Sequence, residues 1–167
     1  MIVISARPWI CQTSIAPLFN VDIESTFKTP LDADLEEIMA SLEKRIAEQA
    51  ETEEMKAEYM SAMHRLRQSY PRGDWDSIHQ GMIMAWPVIV SDGFFTAMTE
   101  GRQIAIAILG VWGTALDMMK GVWWIGRKGK MLVDAAYELL PAGWEALFAW
   151  ARKNVEPRIG VESVFDL

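Results

Sequence analysis

The residues in this chain best suited to chemistry are few and widely spaced. Cys11 is the only cysteine, and the two histidines, His64 and His79, fall in different segments. Neither histidine has a His or Cys three or four residues away, so no metal-ligand spacing is present. With one cysteine, neither an internal disulfide nor a cysteine-based zinc site is available. Asp76 lies one helical turn before His79, the spacing by which a carboxylate orients an imidazole as a general base. The simpler reading of Asp74-Trp75-Asp76 is a helix start with acids in its first turn, and it is preferred. Cys11 and His79 would make a nucleophile and base only if the fold joined them. The run Gly126-Arg127-Lys128-Gly129-Lys130 is basic and flanked by glycine, but it lacks the full spacing of a phosphate loop and reads as a solvated turn. No catalytic residue, metal site or cofactor is assigned.

The balance of residue types narrows the partners. The net charge of −7 opposes a nucleic-acid backbone. Eight Trp and eleven Met are the departure from an ordinary globular composition. Trp brings rigid contact area and Met adaptable contact area, which suits a deep core or a pocket for a bulky apolar molecule. The longest apolar stretch, residues 104–116, is short of the roughly 20 residues of a membrane span. The first residues are too interrupted for a signal peptide. The single cysteine fits a reducing compartment, and a cytoplasmic or nuclear location is expected.

Helical periodicity organises the chain, and period-two alternation is nearly absent. The expected fold is all-α, an irregular multi-helix bundle around a buried central helix. Residues 1–28 read as an irregular lead-in, 29–160 as a single helical domain, and 161–167 as a tail. Thr29 is placed as a cap, with Pro30 in the first helical position and Asp32 as the capping-box acid. Leu35, Ile38, Leu42 and Ile46 form one stripe, and Met55, Tyr59, Met63, Leu66 and Tyr70 a second, out of phase with the first. Helices are expected near 32–50, 53–70, 75–86, 102–119, 129–140 and 142–153. A short helix capped by Ser91 or Asp92 carries Phe94, Phe95 and Met98. Residues 88–90 are read as an extended bridge after Pro87.

Residues 102–119 are apolar on nearly every face, which marks a helix buried all round. Gly110 and Gly113 within it cost roughly 1 kcal/mol each against Ala. They imply close approach by a neighbouring helix or by a ligand. The residues placed around that groove are Trp86, Phe94, Phe95, Met98, Ile108, Gly110, Trp112, Gly113, Met118, Trp123 and Trp124. Such a set reads either as plain core or as core plus an apolar pocket.

The order Asp74-Trp75-Asp76, Trp86-Pro87-Val88, Ser91-Asp92-Gly93-Phe94-Phe95, a buried helix, Val122-Trp123-Trp124 and Leu139-Leu140-Pro141 with Trp144 resembles a known pattern. It is similar to the C-terminal regulatory domain of fungal zinc binuclear-cluster transcription factors, particularly the sterol-uptake regulators. Residues 8–70, with Arg7-Pro8-Trp9 as an anchor, resemble the preceding stretch of that domain. The resemblance implies an all-helical, dimerising, ligand-sensing module of transcription regulation. It implies a sterol-like hydrophobic ligand, and a homodimer or a hetero-complex with a related regulator. The family's zinc cluster needs a set of cysteines that this chain lacks, so direct binding of nucleic acid is not expected. The alternative is a pocketed helical domain recruited as a cyclase or isomerase on a hydrophobic metabolite, as in secondary metabolism.

Overall fold

The computed structural model describes residues 30–71 and 77–155, with side chains from residue 80 onward in the second stretch. Among these residues there are seven helices and no strand: α1 (Ala33–Gln49), α2 (Glu53–Ser69), α3 (Ser77–Ile89), α4 (Asp92–Thr99), α5 (Gln103–Asp117), α6 (Lys128–Leu139) and α7 (Glu145–Val155). The fold is all-α, as the periodicity predicts. Cys11, Trp9, Asp74, Trp75 and Asp76 lie outside the described residues, as does the side chain of His79. The Cys11–His79 and Asp76–His79 arrangements therefore lie there too.

Local chemistry sets the helix starts. Asp32, not Thr29, is the described cap of α1: its carboxylate accepts from the backbone N–H of Asp34 at 3.1 Å and of Leu35 at 3.4 Å. Thr52 caps α2 by accepting from Met55 N–H at 3.0 Å. Ser91 caps α4 by accepting from Phe94 N–H at 3.1 Å and itself donates to Glu58 on α2. Helix α4 ends in a Schellman turn. Gly101 takes φ +73°, Arg102 N–H reaches Ala97 C=O at 2.9 Å, and Gly101 N–H reaches Met98 C=O at 3.1 Å. Helix α7 begins at Glu145 rather than Ala142, because Gly143 turns the chain at φ +104°.

The stripes face inward. Leu35, Met39, Leu42 and Ile46 of α1 are buried, as are Tyr59, Ala62, Met63 and Leu66 of α2. Met39 takes the central place expected of Ile38, which is only half-buried. Helix α5 is buried along nearly its whole length, from Ile104 to Asp117. It touches every other described helix group, and packs most extensively on α6. Arg45 ties α1 to the start of α7. Its guanidinium lies 4.4 Å over the Trp144 ring and donates to Gly143 C=O at 2.5 Å.

One expectation is overturned. Residues 88–89 are not an extended bridge, because α3 continues through Pro87 to Ile89. Proline has no N–H for the carbonyl of Ile83, four residues earlier. The structure supplies another donor, since Trp112 Nε1 on α5 donates to Ile83 C=O at 3.0 Å. The helix survives its proline because an indole from a different helix takes the missing role. Past Ile89 the chain turns by 82° into α4.

Candidate functional site

The two sides of α5 are built differently. Toward α2, α3 and α4 it meets an aromatic cluster. Trp86 is buried, and its Nε1 donates to Ala62 C=O at 3.0 Å. Trp112 stacks on Trp86 with ring centroids 5.4 Å apart and an interplanar angle of 23°. Phe94 meets Trp86 edge-on at 5.6 Å, and Tyr59 meets Phe94 edge-on at 6.4 Å. Every ring in this chain of contacts but Trp112 is fully buried. The Tyr59 hydroxyl has no hydrogen-bond partner. Burial, reinforced by the nearby Glu51 carboxylate, raises its pKa above the ordinary phenol value.

Toward α6 and α7 the helix presents glycine. A Cβ on Gly110 would lie 2.8 Å from Phe148 Cζ and 3.2 Å from Ala136 Cβ. One on Gly113 would lie 3.0 Å from Val133 Cγ2 and 3.1 Å from Gly129 C=O. The groove left by the two glycines is thus occupied by α6 and by Phe148 of α7. Gly129 makes the tightest approach, where a Cβ would run into the backbone of Asp117 at the end of α5. The sequence offered a signal for this contact: Gly129, Val133 and Ala136 place small residues and a valine on one stripe of α6, opposite Gly110 and Gly113.

A cleft of mixed character lies beside the C-terminal end of α5. It encloses about 460 Å³ and is lined by Leu35 of α1, by Tyr70 and Pro71 after α2, by Thr114 and Met118 of α5 and its end, and by Trp150 of α7. Asp32, Asp34, Lys153 and Asn154 add polar groups. At its inner wall the Tyr70 hydroxyl donates to Val111 C=O at 2.6 Å and lies 2.5 Å from Thr114 Oγ1. Burial pushes the Tyr70 phenol far above its ordinary pKa, against the opposite pull of the Thr114 hydrogen bond. It stays neutral and serves as a fixed polar post. The cleft can hold an apolar body with a polar end; no nucleophile–base pair lines it among the described residues. No three His, Cys, Asp or Glu side chains among the described residues come together to hold a metal.

A scan against protein-family models, a search of curated proteins and a search of solved structures each find no match for this chain.

The residues placed around the groove by sequence divide into three groups. Trp86, Phe94 and Trp112 come together, with Met98 half-buried against the core and Ile108 inside it. Gly110 and Gly113 face α6 and α7. Phe95, Met118, Trp123 and Trp124 are exposed, Trp123 at 91%. Of the whole set, Met118 alone lines the cleft. Tyr70 and Trp150 were legible only as members of apolar stripes, and nothing local distinguishes them as cleft residues.

Proposed function

We propose that this chain is a non-enzymatic regulatory module that senses a hydrophobic, sterol-like molecule in the cleft between α1, α5 and α7. The resemblance to fungal ligand-sensing domains gives the class of ligand. The observation that carries the reading is the cleft itself. Its size falls in the range of small-molecule sites, about 300–1,000 Å³, and Leu35, Met118 and Trp150 give it apolar contact area beside the Tyr70–Thr114 pair. In this reading occupancy changes association with a second copy or with a related regulator in the cytoplasm or nucleus. Val88, Ile89 and Phe95, exposed around the α3–α4 bend, support an association face.

Thermal unfolding in the presence of ergosterol tests this. A ligand that binds only the folded chain raises Tm with concentration, by about 2.7 kcal/mol of stability at a hundred times Kd. A saturable rise that Trp150→Ala abolishes and Trp123→Ala preserves is expected. The absence of any saturable rise in the unmodified chain overturns the reading.

A further inference from the structure

A second surface, separate from the cleft's inner wall, has a composition of its own. Between α5 and α6 the chain runs through successive tight turns: Lys120 N–H to Asp117 C=O, Val122 to Met119, Ile125 to Val122 and Lys128 to Ile125, all at 2.8–3.0 Å. Met119 and Ile125 are buried and pin this connector to the core at two points. The tryptophans between them point away from it. Trp123 is 91% exposed, more than any other large apolar side chain among the described residues. Trp124, Met118 and Met131 are exposed beside it in the chain.

The charge here is opposite to that of the whole molecule. From residue 118 to residue 133 there are four cations, Lys120, Arg127, Lys128 and Lys130, and no acid, in a chain of net charge −7. The fold gathers them. Lys120, Arg127 and Lys130 line one cleft of about 350 Å³ with Asp117 and Val155. Lys128 Nζ donates to the backbone C=O of Trp124. Lys120 is answered by Asp117 at 3.6 Å and Lys130 by Asp134 at 2.7 Å. Arg127 makes no ion pair among the described residues.

We propose that this connector docks on an anionic lipid surface, with Trp123 and Trp124 in the headgroup layer and the four cations against lipid phosphates and carboxylates. Tryptophan favours the membrane–water interface because its ring is apolar and its N–H is polar. Each Lys or Arg near an anionic leaflet adds about fivefold to partitioning. Asp117 and Asp134 already answer Lys120 and Lys130, at 3.6 and 2.7 Å. Arg127 and Lys128, which make no ion pair among the described residues, therefore carry most of the attraction. Acids beyond about 8–10 Å are screened at physiological salt. Single-stranded nucleic acid is the other polyanion that basic, aromatic surfaces take. The lipid surface is favoured because exposed Met118 and Met131 extend the apolar area beyond the two indoles, which serves lipid but adds no further ring for stacking bases. The chain lies on the surface in this arrangement, and no single described helix is long and apolar enough to cross it.

Sedimentation with vesicles decides. The full chain is expected to bind equimolar phosphatidylcholine–phosphatidylserine vesicles, with a blue shift of tryptophan emission, and to bind phosphatidylcholine alone at least tenfold more weakly. Trp123→Ala and Arg127→Glu, neither lining the sterol cleft, should each lower binding several-fold while leaving circular dichroism and Tm unchanged. Binding that ignores both substitutions overturns the proposal. So does equal binding to the neutral vesicles, no binding to the anionic ones, or tighter binding of a single-stranded oligonucleotide than of the anionic vesicles.

Discussion

The two sides of α5 hold the molecule together by opposite means. On the side of α6 and α7 the contact is close approach, made possible by the missing side chains of Gly110, Gly113 and Gly129. Gly129 meets the Asp117 backbone, Gly113 meets Val133 and the Gly129 carbonyl, and Gly110 meets Phe148 and Ala136. On the α3 side it is ring against ring, fixed in direction by indole N–H groups that reach Ala62 and Ile83 carbonyls. The first kind of contact tolerates no added volume. The second tolerates changes of volume better than it tolerates loss of a donor. One uniformly apolar helix thus carries two distinct vulnerabilities.

The largest effect should come from filling the glycine side. Overpacking a core costs about 1–3 kcal/mol and occasionally more. Gly129→Ala belongs at the top of that range, because the obstacle is the Asp117 backbone, whereas Gly110→Ala meets the tip of the Phe148 ring. The gain in helix propensity, about 1 kcal/mol, does not offset this. At about 2–4 °C per kcal/mol for a chain of this length, Gly129→Ala should lower Tm by roughly 10 °C, and Gly110→Ala by less. Gly121→Ala, with open space around it, should change stability by no more than about 0.5 kcal/mol. Equal effects at Gly121 and Gly129 would break the distinction.

The aromatic side is sharpened by a double-mutant cycle. Trp112→Phe keeps most of the ring but strips the donor from Ile83 C=O, leaving a carbonyl unsatisfied at about 1–3 kcal/mol. Pro87→Ala restores a backbone N–H at the position that would serve the same carbonyl. The cost of Trp112→Phe should therefore shrink by about 1 kcal/mol or more in the Pro87→Ala background, measured by urea unfolding. Strict additivity would show that the indole is packing alone.

How much of this was legible in the sequence follows from the range of each interaction. The stripes of α1 and α2 and the all-round burial of α5 were readable, because they depend on neighbours three or four residues away. The continuation of α3 through Pro87 was not, because the compensating donor is Trp112, far along the chain. The identity of the two faces of α5 was hidden by their shared apolarity. Gly129 was masked by the charged residues around it, which suggested a solvated turn. Trp123 was expected to sit near the core with its neighbours, and only the turns that bury Met119 and Ile125 explain why it faces outward. Of the cleft, little beyond Met118 was marked, since its walls come from four separate segments.

The smallest effects should come from the two buried phenols. Tyr70→Phe deletes hydrogen bonds to Val111 and Thr114 and should cost about 1–2 kcal/mol. Tyr59→Phe removes a hydroxyl with no partner, so stability should hold or rise by about 1 kcal/mol. Both phenols have raised pKa values in the folded chain. The unfolded chain therefore loses these protons first, above about pH 10. Their contribution is fully present below that pH and is lost as pH climbs toward the folded values. Denaturant midpoints measured between neutral and strongly alkaline pH should fall above pH 10, and fall less steeply in Tyr70→Phe. A slope unchanged by Tyr70→Phe would remove that residue from the account.

The stacked indoles of Trp86 and Trp112 also give the fold an optical signature. Two identical chromophores held 5.4 Å apart at a fixed angle share their electronic excitations. A shared excitation splits into two bands of opposite sign in circular dichroism. One ring belongs to α3 and the other to α5, so the paired bands exist only while those helices are docked. Replacing either tryptophan erases both bands together, and their amplitude follows the seating of α3 on α5 independently of helix content.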